Sequence, residues 1–294
     1  MCAKSSCQRS AAADSRTKKK TGKWSKPSQS PARARKRRSS LPLTIDINAD
    51  IGEGAGTSCL AEDSALLDLV SSANIACGFH AGDATSIRET VRAARARGVT
   101  IGAHPSYPDL SGFGRRELGL GAGQICHHVA AQVRSLKAAC SAEGARLSYV
   151  KPHGALYNRA ARKRDAARAV IDAITEVDDT LVLLGLANSE MQSSAEEAGI
   201  GFASEAFADR AYGSDRFLVP RSHPGAMIED VGEAVARGIQ LVQRKTVRSI
   251  DGVELPIEAA SLCVHGDNPR ALLLVSALRS GLESAGVRIA PFAA

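Results

Sequence analysis

Four features that would assign this 294-residue chain to a familiar class are missing. No apolar run approaches the roughly 20 residues of a transmembrane helix and no signal-peptide core precedes the first apolar strand, so we expect a cytoplasmic protein. The seven cysteines form no C-x-x-C pair, which argues against a disulfide framework and against a structural zinc site. A standard P-loop is excluded because no G-x-x-x-x-G-K-S/T motif occurs, so any bound ATP must be held in another way.

Acidic residues are almost absent from residues 1–42, which contain 13 of the 38 Lys and Arg residues but only one acid, Asp14. The remainder carries 25 basic and 30 acidic side chains, so the overall charge of +7 comes from this tail and the rest of the chain has a net charge of −5. The tail is rich in Ser, Lys, Arg and Ala without apolar periodicity, which predicts that residues 1–42 are disordered. Nucleic acid is not expected as a partner of the acidic remainder.

The basic tail fits three functions, and the sequence leaves them open. They are an arm that binds nucleic acid or a membrane surface, an organelle transit peptide, and a nuclear signal at residues 33–38. The alternative is a dispensable or mis-started extension, because runs of charge are usually only solvated. A nucleic-acid arm predicts binding that depends steeply on salt and is lost when the tail is deleted.

Residues 43–294 are predicted to form one α/β domain. Short β-rich runs alternate with longer stretches in which Ala, Leu and Val recur at helical spacing, which is typical of a parallel sheet with helices outside. A length near 250 residues is usual for a TIM-like βα barrel. Strands are predicted at 43–48, 73–77, 100–103, 147–151, 180–185, 201–205 and 261–265, with a further short strand at 287–290.

The intervening segments are predicted to be helices and turns. Helices are predicted at 61–71, 84–97, 122–143, 156–176, 188–198, 228–244 and 269–285. Gly98, Gly144 and Gly199 each follow a predicted helix, at the position where a left-handed residue ends it. Residues 249–256 contain Asp251-Gly252 between β-forming residues, which predicts a small hairpin before the last units.

Polar residues concentrate just after the predicted strands, where the loops of a βα barrel converge on one mouth. In the first strand, Asp46, Asn48 and Asp50 share one side because side chains alternate with a period of two. Two of the seven histidines, His127 and His128, fall inside a predicted helix, whereas the others lie in loops. The loop histidines are His80, His104, His153, His223 and His265.

Taken together, these loops predict a shared site more strongly than a single loop would. A single strand-end histidine could be a structural residue, but the coincidence across separate units favours a common active site. Arg115 and Arg116 follow a Pro-constrained loop and suit capture of an anionic group. Lys151 and His153 place a cation and an imidazole side by side.

Six segments, in order along the chain, resemble the LamB/YcsF family, the A subunit of ATP-dependent 5-oxoprolinase. They are IDINADIGE at 45–53, SANIACGFHAGD at 72–83, IGAHP at 101–105, VKPHGALYN at 150–158, FADRAY at 207–212 and CVHGD at 263–267. The resemblance implies a distorted seven-stranded βα barrel of the glycoside hydrolase and polysaccharide deacetylase type. It also implies ring opening of 5-oxo-L-proline (pyroglutamate) to L-glutamate, coupled to ATP hydrolysis to ADP and phosphate and carried out together with B and C subunits.

The resemblance and the loop residues together give a set of expected site residues. The expected catalytic residues are Asp50, His80, His104, Lys151, His153 and His265. The residues expected to bind substrate or phosphate are Asn48, Glu53, Asp83, Arg115, Arg116, Asp209, Arg210 and Asp267. Mg²⁺ accompanying ATP would lie at Asp50 or nearby acids, while the choice of general base, the subunit that binds ATP and the presence of a homodimer are left open.

The main alternative is a stand-alone metal-dependent amidase or deacetylase. In that enzyme Asp50 and two of the strand-end histidines would bind zinc and activate water. Stoichiometric zinc and cleavage of an amide without ATP would favour it over the oxoprolinase hypothesis.

Overall fold

A computed structural model describes residues 43–54, 57–264 and 270–293. The predicted tail at 1–42 and the expected site residues His265 and Asp267 lie outside these ranges. The elements in chain order are β1 (Thr44–Ile51), α1 (Thr57–Leu67), β2 (Ser72–Ala76), α2 (Ala84–Ala96), β3 (Thr100–His104), α3 (Ala122–Ala142), β4 (Leu147–Val150), α4 (Gly154–Arg162), α5 (Arg164–Val177), β5 (Val182–Leu186), α6 (Glu190–Ala198), β6 (Phe202–Phe207), α7 (Val231–Arg244), β7 (Thr246–Arg248), β8 (Glu254–Pro256), β9 (Ser261–Val264), α8 (Ala271–Ser284) and β10 (Arg288–Ile289).

Seven parallel strands close into a barrel with the order β1-β2-β3-β4-β5-β6-β9, and β9 pairs back onto β1. The closing register places Asp46 of β1 beside Ser261 of β9. The short strand predicted at 287–290 is β10, which pairs only with the start of β1. The seven-stranded βα barrel expected from the sequence is therefore confirmed.

Side chains of β1 alternate between two different environments. Ile45, Ile47 and Ile51 face the surrounding helices and belong to the main apolar core. Asp46 and Asn48 point the other way and are buried in hydrogen bonds to the neighbouring strands, β2 and β9. The predicted two-residue alternation is thus present, and it fills the barrel interior with polar groups rather than with the branched apolar side chains usual in such barrels.

One predicted helix, 156–176, is two helices in the structure. Lys163 adopts an extended conformation, with φ −127° and ψ 116°, and separates α4 from α5. The prediction failed because the residues at the break, Arg162 to Asp165, are ordinary helix formers and no Gly or Pro marks it. The break lets α5 pack along α3, while α4 starts beside the barrel mouth at Gly154.

Other local predictions are confirmed. Gly98, Gly144 and Gly199 have φ of 68°, 63° and 71°, the left-handed values that end a helix with little strain only at glycine. The predicted hairpin is the antiparallel pair of β7 and β8, connected through Asp251-Gly252. Among the described residues, no helix combines the length and the apolar character needed to cross a bilayer.

Candidate active site

The polar site lies at the carboxyl ends of the barrel strands, as the loop residues predict. Asp50 is near the end of β1, His104 is the last residue of β3, and Lys151 follows β4 directly. Glu53, His80 and His153 come from the loops just beyond β1, β2 and β4. All six of these expected residues come together in three dimensions, although they are spread over about 100 positions of the chain.

Four of them form a compact group that we call the histidine–carboxylate cluster: Asp50, Glu53, His104 and His153. One ligand atom from each lies within 4.8 Å of the others. His104 Nε2 is 3.0 Å from His153 Nδ1 and 3.3 Å from Asp50 Oδ2. Glu53 Oε1 is 3.1 Å from His153 Nδ1 and 3.7 Å from His104 Nε2. The cluster therefore directs two imidazole nitrogens and two carboxylate oxygens at one point.

Backbone carbonyls fix the orientation of both imidazole rings. His104 Nδ1 lies 2.7 Å from the carbonyl oxygen of Lys151, and His153 Nε2 lies 2.9 Å from that of Phe113. A carbonyl oxygen only accepts hydrogen bonds, so each of these nitrogens carries the proton. The nitrogen on the opposite side of each ring then faces the cluster.

His80 supports the cluster from one side. Its Nε2 lies 3.0 Å from Glu53 Oε1, its Nδ1 lies 2.9 Å from Ser106 Oγ, and its ring stacks on that of His153 with centroids 3.9 Å apart. Burial lowers the pKa of His80 to about 4 despite its bond to Glu53, so His80 is neutral near pH 7. A neutral His80 holds Glu53 by a hydrogen bond without adding charge.

Glu53 is ionised although it is largely buried. Burial by itself raises the pKa of this carboxyl group, but the hydrogen bonds from His153 and His80 outweigh that effect and hold the pKa well below its usual range. The negative charge of Glu53 is therefore present across the physiological pH range.

Lys151 lies directly below the cluster, and it is 2% exposed. Its Nζ is 3.0 Å from Asp50 Oδ1 and 2.9 Å from Glu205 Oε1, and it donates hydrogen bonds to Asn48 Oδ1 at 3.1 Å and to Cys263 Sγ at 3.0 Å. Burial lowers the pKa of Lys151, but the charge of Asp50 and the neighbouring Cys263 and Glu205 outweigh it and hold the pKa well above its usual value. Lys151 is therefore a charged residue whose partners inside the barrel are complete.

Asn74 connects Asp50 to the barrel interior. Its Nδ2 donates to Asp50 Oδ1 at 2.8 Å and to Asn48 Oδ1 at 2.7 Å, and its Oδ1 accepts from Tyr149 Oη at 2.7 Å. Asp50 Oδ1 is thus occupied by Asn74 and Lys151, while Asp50 Oδ2 is the oxygen that faces His104. The interior network sets the orientation of this carboxylate.

A cavity of about 370 Å³ opens above the cluster, and all four cluster residues line it. Its walls also contain four arginines: Arg115, Arg162, Arg210 and Arg221. Arg210 is 5% exposed and donates through Nη2 to the carbonyl oxygen of Val219 at 2.7 Å. Its buried Nε has no hydrogen-bond partner within the part of the chain that the structure describes. Because Arg210 lines the cavity, its guanidinium would suit a ligand with an anionic group.

Comparison with known proteins places this chain in a family. The model of the LamB/YcsF family matches residues 45–294. The chain belongs to the LamB/YcsF family. It is 47% identical, over 85% of its length and 100% of the relative, to a protein from Paracidovorax citrulli (strain AAC00-1) that is named as the A subunit of 5-oxoprolinase.

A solved structure supports the assignment to the LamB/YcsF family. The crystal structure of the lactam utilization protein from Thermus thermophilus is 43% identical to this chain. The superposition has a TM-score of 0.80 and covers 85% of this chain and 100% of that one. The fold is thus shared with that protein along its whole length.

Some expected site residues of this LamB/YcsF protein lie elsewhere. Asp83 is exposed and caps α2, where its side chain accepts from the backbone N–H groups of Thr85 and Ser86. Arg116 is paired with Asp109 and is not part of the cavity wall. Both side chains have local partners, because a carboxylate before a helix caps it and an arginine near an acid in a loop pairs with that acid.

The remaining expected residues have mixed positions. Asn48 is buried below the cluster and donates to Glu205 Oε1, and Arg115 and Arg210 line the cavity. Asp209 is fully buried and does not line the cavity. The loop histidine His223 is exposed and contacts the carbonyl oxygen of Pro224, away from the cluster.

Several residues of the site were not anticipated from the sequence. They are Asn74, Ser106, Tyr149, Tyr157, Glu205, Ser261 and Cys263, together with the cavity residues Arg162 and Arg221. Asn74 had a usable signal, because it is a polar residue between the apolar Ala73 and Ile75 within a strand of a buried parallel sheet. The others carry no sequence signal that separates them from ordinary core or surface residues.

Proposed function

We propose that this chain is the A subunit of an ATP-dependent 5-oxoprolinase, which opens 5-oxo-L-proline to L-glutamate and forms ADP and phosphate. The names of its relatives support a cyclic amide as substrate, because one is a component of 5-oxoprolinase and the other a lactam utilization protein. The observation that carries the proposal is a cavity with arginine walls and a floor of imidazoles and carboxylates. Such a cavity suits a small anionic substrate whose ring must be attacked and protonated.

Coupling to ATP follows from the chemistry of a five-membered lactam. The ring closes again readily because its amine is held beside the acid, so hydrolysis alone has little driving force. Transfer of the γ-phosphoryl group to the lactam oxygen releases ADP and makes the ring carbon electrophilic. One water then adds to that carbon and the C–N bond breaks, with the nitrogen taking up a proton and an acyl phosphate remaining. A second water releases phosphate and leaves the carboxylate of glutamate.

Different residues of the cavity would serve different steps of this reaction. Arg210 and Arg115 would bind the substrate carboxylate or balance the charge of the transferred phosphoryl group. His104, His153 and Glu53 would hold and polarise the attacking water at the floor of the cavity. Lys151 is assigned a positioning role, because its ammonium is already surrounded by Asp50 and Glu205 rather than directed at a phosphate.

The proposed partners are the B and C subunits, 5-oxoproline, and ATP with Mg²⁺. The Paracidovorax relative is named as one lettered component of its enzyme, which supports the existence of further subunits. A cavity of about 370 Å³ is at the small end of ligand sites, which favours the lactam as its occupant and ATP binding shared with another subunit.

The test is release of glutamate from 5-oxoproline by this chain, with and without co-expressed B and C subunits, in the presence and absence of ATP. We expect turnover only with ATP and partners. Arg210→Leu should raise KM for 5-oxoproline or ATP about 10- to 100-fold, which corresponds to the loss of a charge-assisted hydrogen bond. The control is Arg168→Leu, at an exposed position of α5, which should leave KM unchanged. No ATP-dependent glutamate in any of these mixtures would refute the proposal.

A second candidate is a stand-alone metal-dependent amidase or deacetylase. The mixed imidazole and carboxylate donors of the histidine–carboxylate cluster favour it. The same assay separates the two, because this candidate requires amide cleavage by the isolated chain without ATP.

A further inference from the structure

From its geometry, we infer that the histidine–carboxylate cluster binds one transition-metal ion of the zinc class, with His104 Nε2, His153 Nδ1, Asp50 Oδ2 and Glu53 Oε1 as ligands. Metal binding itself does not depend on the proposed function. Only the chemical role of the ion, which would be to hold and activate water or the lactam oxygen beside the cavity, rests on it.

The distances between ligand atoms match those around a tetrahedral ion. Two ligands bound to zinc at about 2.0–2.2 Å in tetrahedral geometry are roughly 3.3 Å apart. The corresponding separations here are 3.0 Å between the two imidazole nitrogens and 3.3 Å from Asp50 Oδ2 to His104 Nε2. Glu53 Oε1 adds separations of 3.1 Å and 3.7 Å to the two histidines. Four of the six separations are therefore close to those around a tetrahedral ion, and all four atoms lie within 4.8 Å of one another.

The orientation of the two rings also favours a cation at this point. Both rings use their outer nitrogen to donate to a backbone carbonyl, so His104 Nε2 and His153 Nδ1 present lone pairs to each other when the rings are neutral. Two lone pairs 3.0 Å apart repel unless a proton or a metal ion lies between them. A metal ion removes this conflict without the need for an imidazolium, and an outer donor to a carbonyl is the usual support of a metal-binding histidine.

The charges around the histidine–carboxylate cluster also favour a bound cation. Three carboxylates, of Asp50, Glu53 and Glu205, lie within this buried region, and among the described residues Lys151 is the cation that contacts two of them from below. A divalent cation would balance the excess negative charge where water is largely excluded. Asp50 is suitably oriented, because Asn74 and Lys151 occupy Oδ1 and leave Oδ2 directed at the cluster.

The ligand set selects the class of metal. Mg²⁺ and Ca²⁺ prefer six or more oxygen ligands, whereas two imidazoles with two carboxylates suit Zn²⁺ or Co²⁺. All four ligands line the cavity, so the bound ion would be accessible to a ligand from that side. The proposed ion therefore differs from the Mg²⁺ that accompanies ATP.

The experiment measures metal binding by the untagged full chain after removal of metal with a chelator and dialysis against Zn²⁺ or Co²⁺. We expect one ion per chain by elemental analysis. Bound Co²⁺ should show visible d–d bands without a thiolate charge-transfer band, which distinguishes this cluster from binding by the seven cysteines.

Matched variants locate the site. His104→Asn and Glu53→Gln should each weaken Co²⁺ binding at least tenfold, whereas His127→Asn, at an exposed position of α3, should bind like the unmodified chain. Circular dichroism verifies that each variant is folded, and Glu53→Gln, which keeps the side-chain shape, tests the site if His104→Asn does not fold.

Two results would overturn the inference: no stoichiometric Zn²⁺ or Co²⁺ in the folded chain, or equal Co²⁺ affinity in Glu53→Gln and the unmodified chain. Stoichiometric metal without ATP-dependent glutamate release would instead refute the proposed function and support the metal site. Glutamate release with no bound metal would support the function and refute the metal site.

Discussion

Replacement of Lys151 by methionine should destabilise the barrel strongly, and a second change at Glu205 should partly reverse this. Lys151 Nζ is the cation that contacts both Asp50 Oδ1 and Glu205 Oε1 inside the barrel. Lys151→Met leaves two buried carboxylates without it, and breaking a buried ion pair by removal of one partner costs about 3–5 kcal/mol. Glu205→Gln removes one of these charges, so the double variant should be about 1–3 kcal/mol more stable than the sum of the single effects.

The assay is urea unfolding of the unmodified chain, the two single variants and the double variant. Unfolding is followed by circular dichroism at 222 nm, where α-helices give a strong negative signal. Fluorescence is a poor probe of the barrel because the single tryptophan, Trp24, lies outside the described residues. Lys163→Met, at an exposed position, should change the free energy of unfolding by no more than about 0.5 kcal/mol. Strictly additive effects of Lys151→Met and Glu205→Gln would refute the view that these two residues compensate each other.

The remaining predictions concern packing and pH. A Cβ at Gly102 would lie 2.1 Å from Tyr149 Cε2, so Gly102→Ala should lower the free energy of unfolding by about 1–3 kcal/mol, whereas Gly123→Ala, with nothing within 4 Å, should not. Burial raises the pKa of Asp46 to about 6 despite its serine hydrogen bonds, and the usual value of about 3.8 applies when the chain is unfolded. Its contribution to stability is therefore complete below about pH 4 and is lost as pH rises through about 6, by on the order of 3 kcal/mol. The difference in free energy of unfolding between the unmodified chain and Asp46→Asn, measured from pH 4 to 7, should show this slope, and a flat difference would contradict it.

Much of the fold was predictable because its causes are local. Alternation of strand and helix patterns indicates a parallel sheet covered by helices, and glycines such as Gly199 mark helix ends by their backbone freedom. The break at Lys163 was missed because only the packing of α4 and α5 on different neighbours requires it. The residue types around position 163 do not indicate a helix break.

The candidate site was predictable only in part. A histidine or acid at the carboxyl end of a strand is already placed near the barrel mouth, so His80, His104, His153, Asp50 and Glu53 could be selected without coordinates. Asp83 and Arg116 met the same criterion. In the structure, however, Asp83 caps α2 and Arg116 pairs with Asp109. Position in the sequence therefore identifies candidates for the site but does not separate a ligand from a helix cap.

The sequence by itself determined the barrel, the mouth at which polar loops meet and the family of the chain, because each depends on short-range patterns. Only the tertiary structure decided which atoms face each other. It made Lys151 an interior partner of Asp50 and Glu205, and it turned His104 and His153 towards one another. Those arrangements depend on contacts between residues far apart in the chain, on carbonyls that fix each ring and on charges that must balance in a buried space, none of which a linear pattern contains.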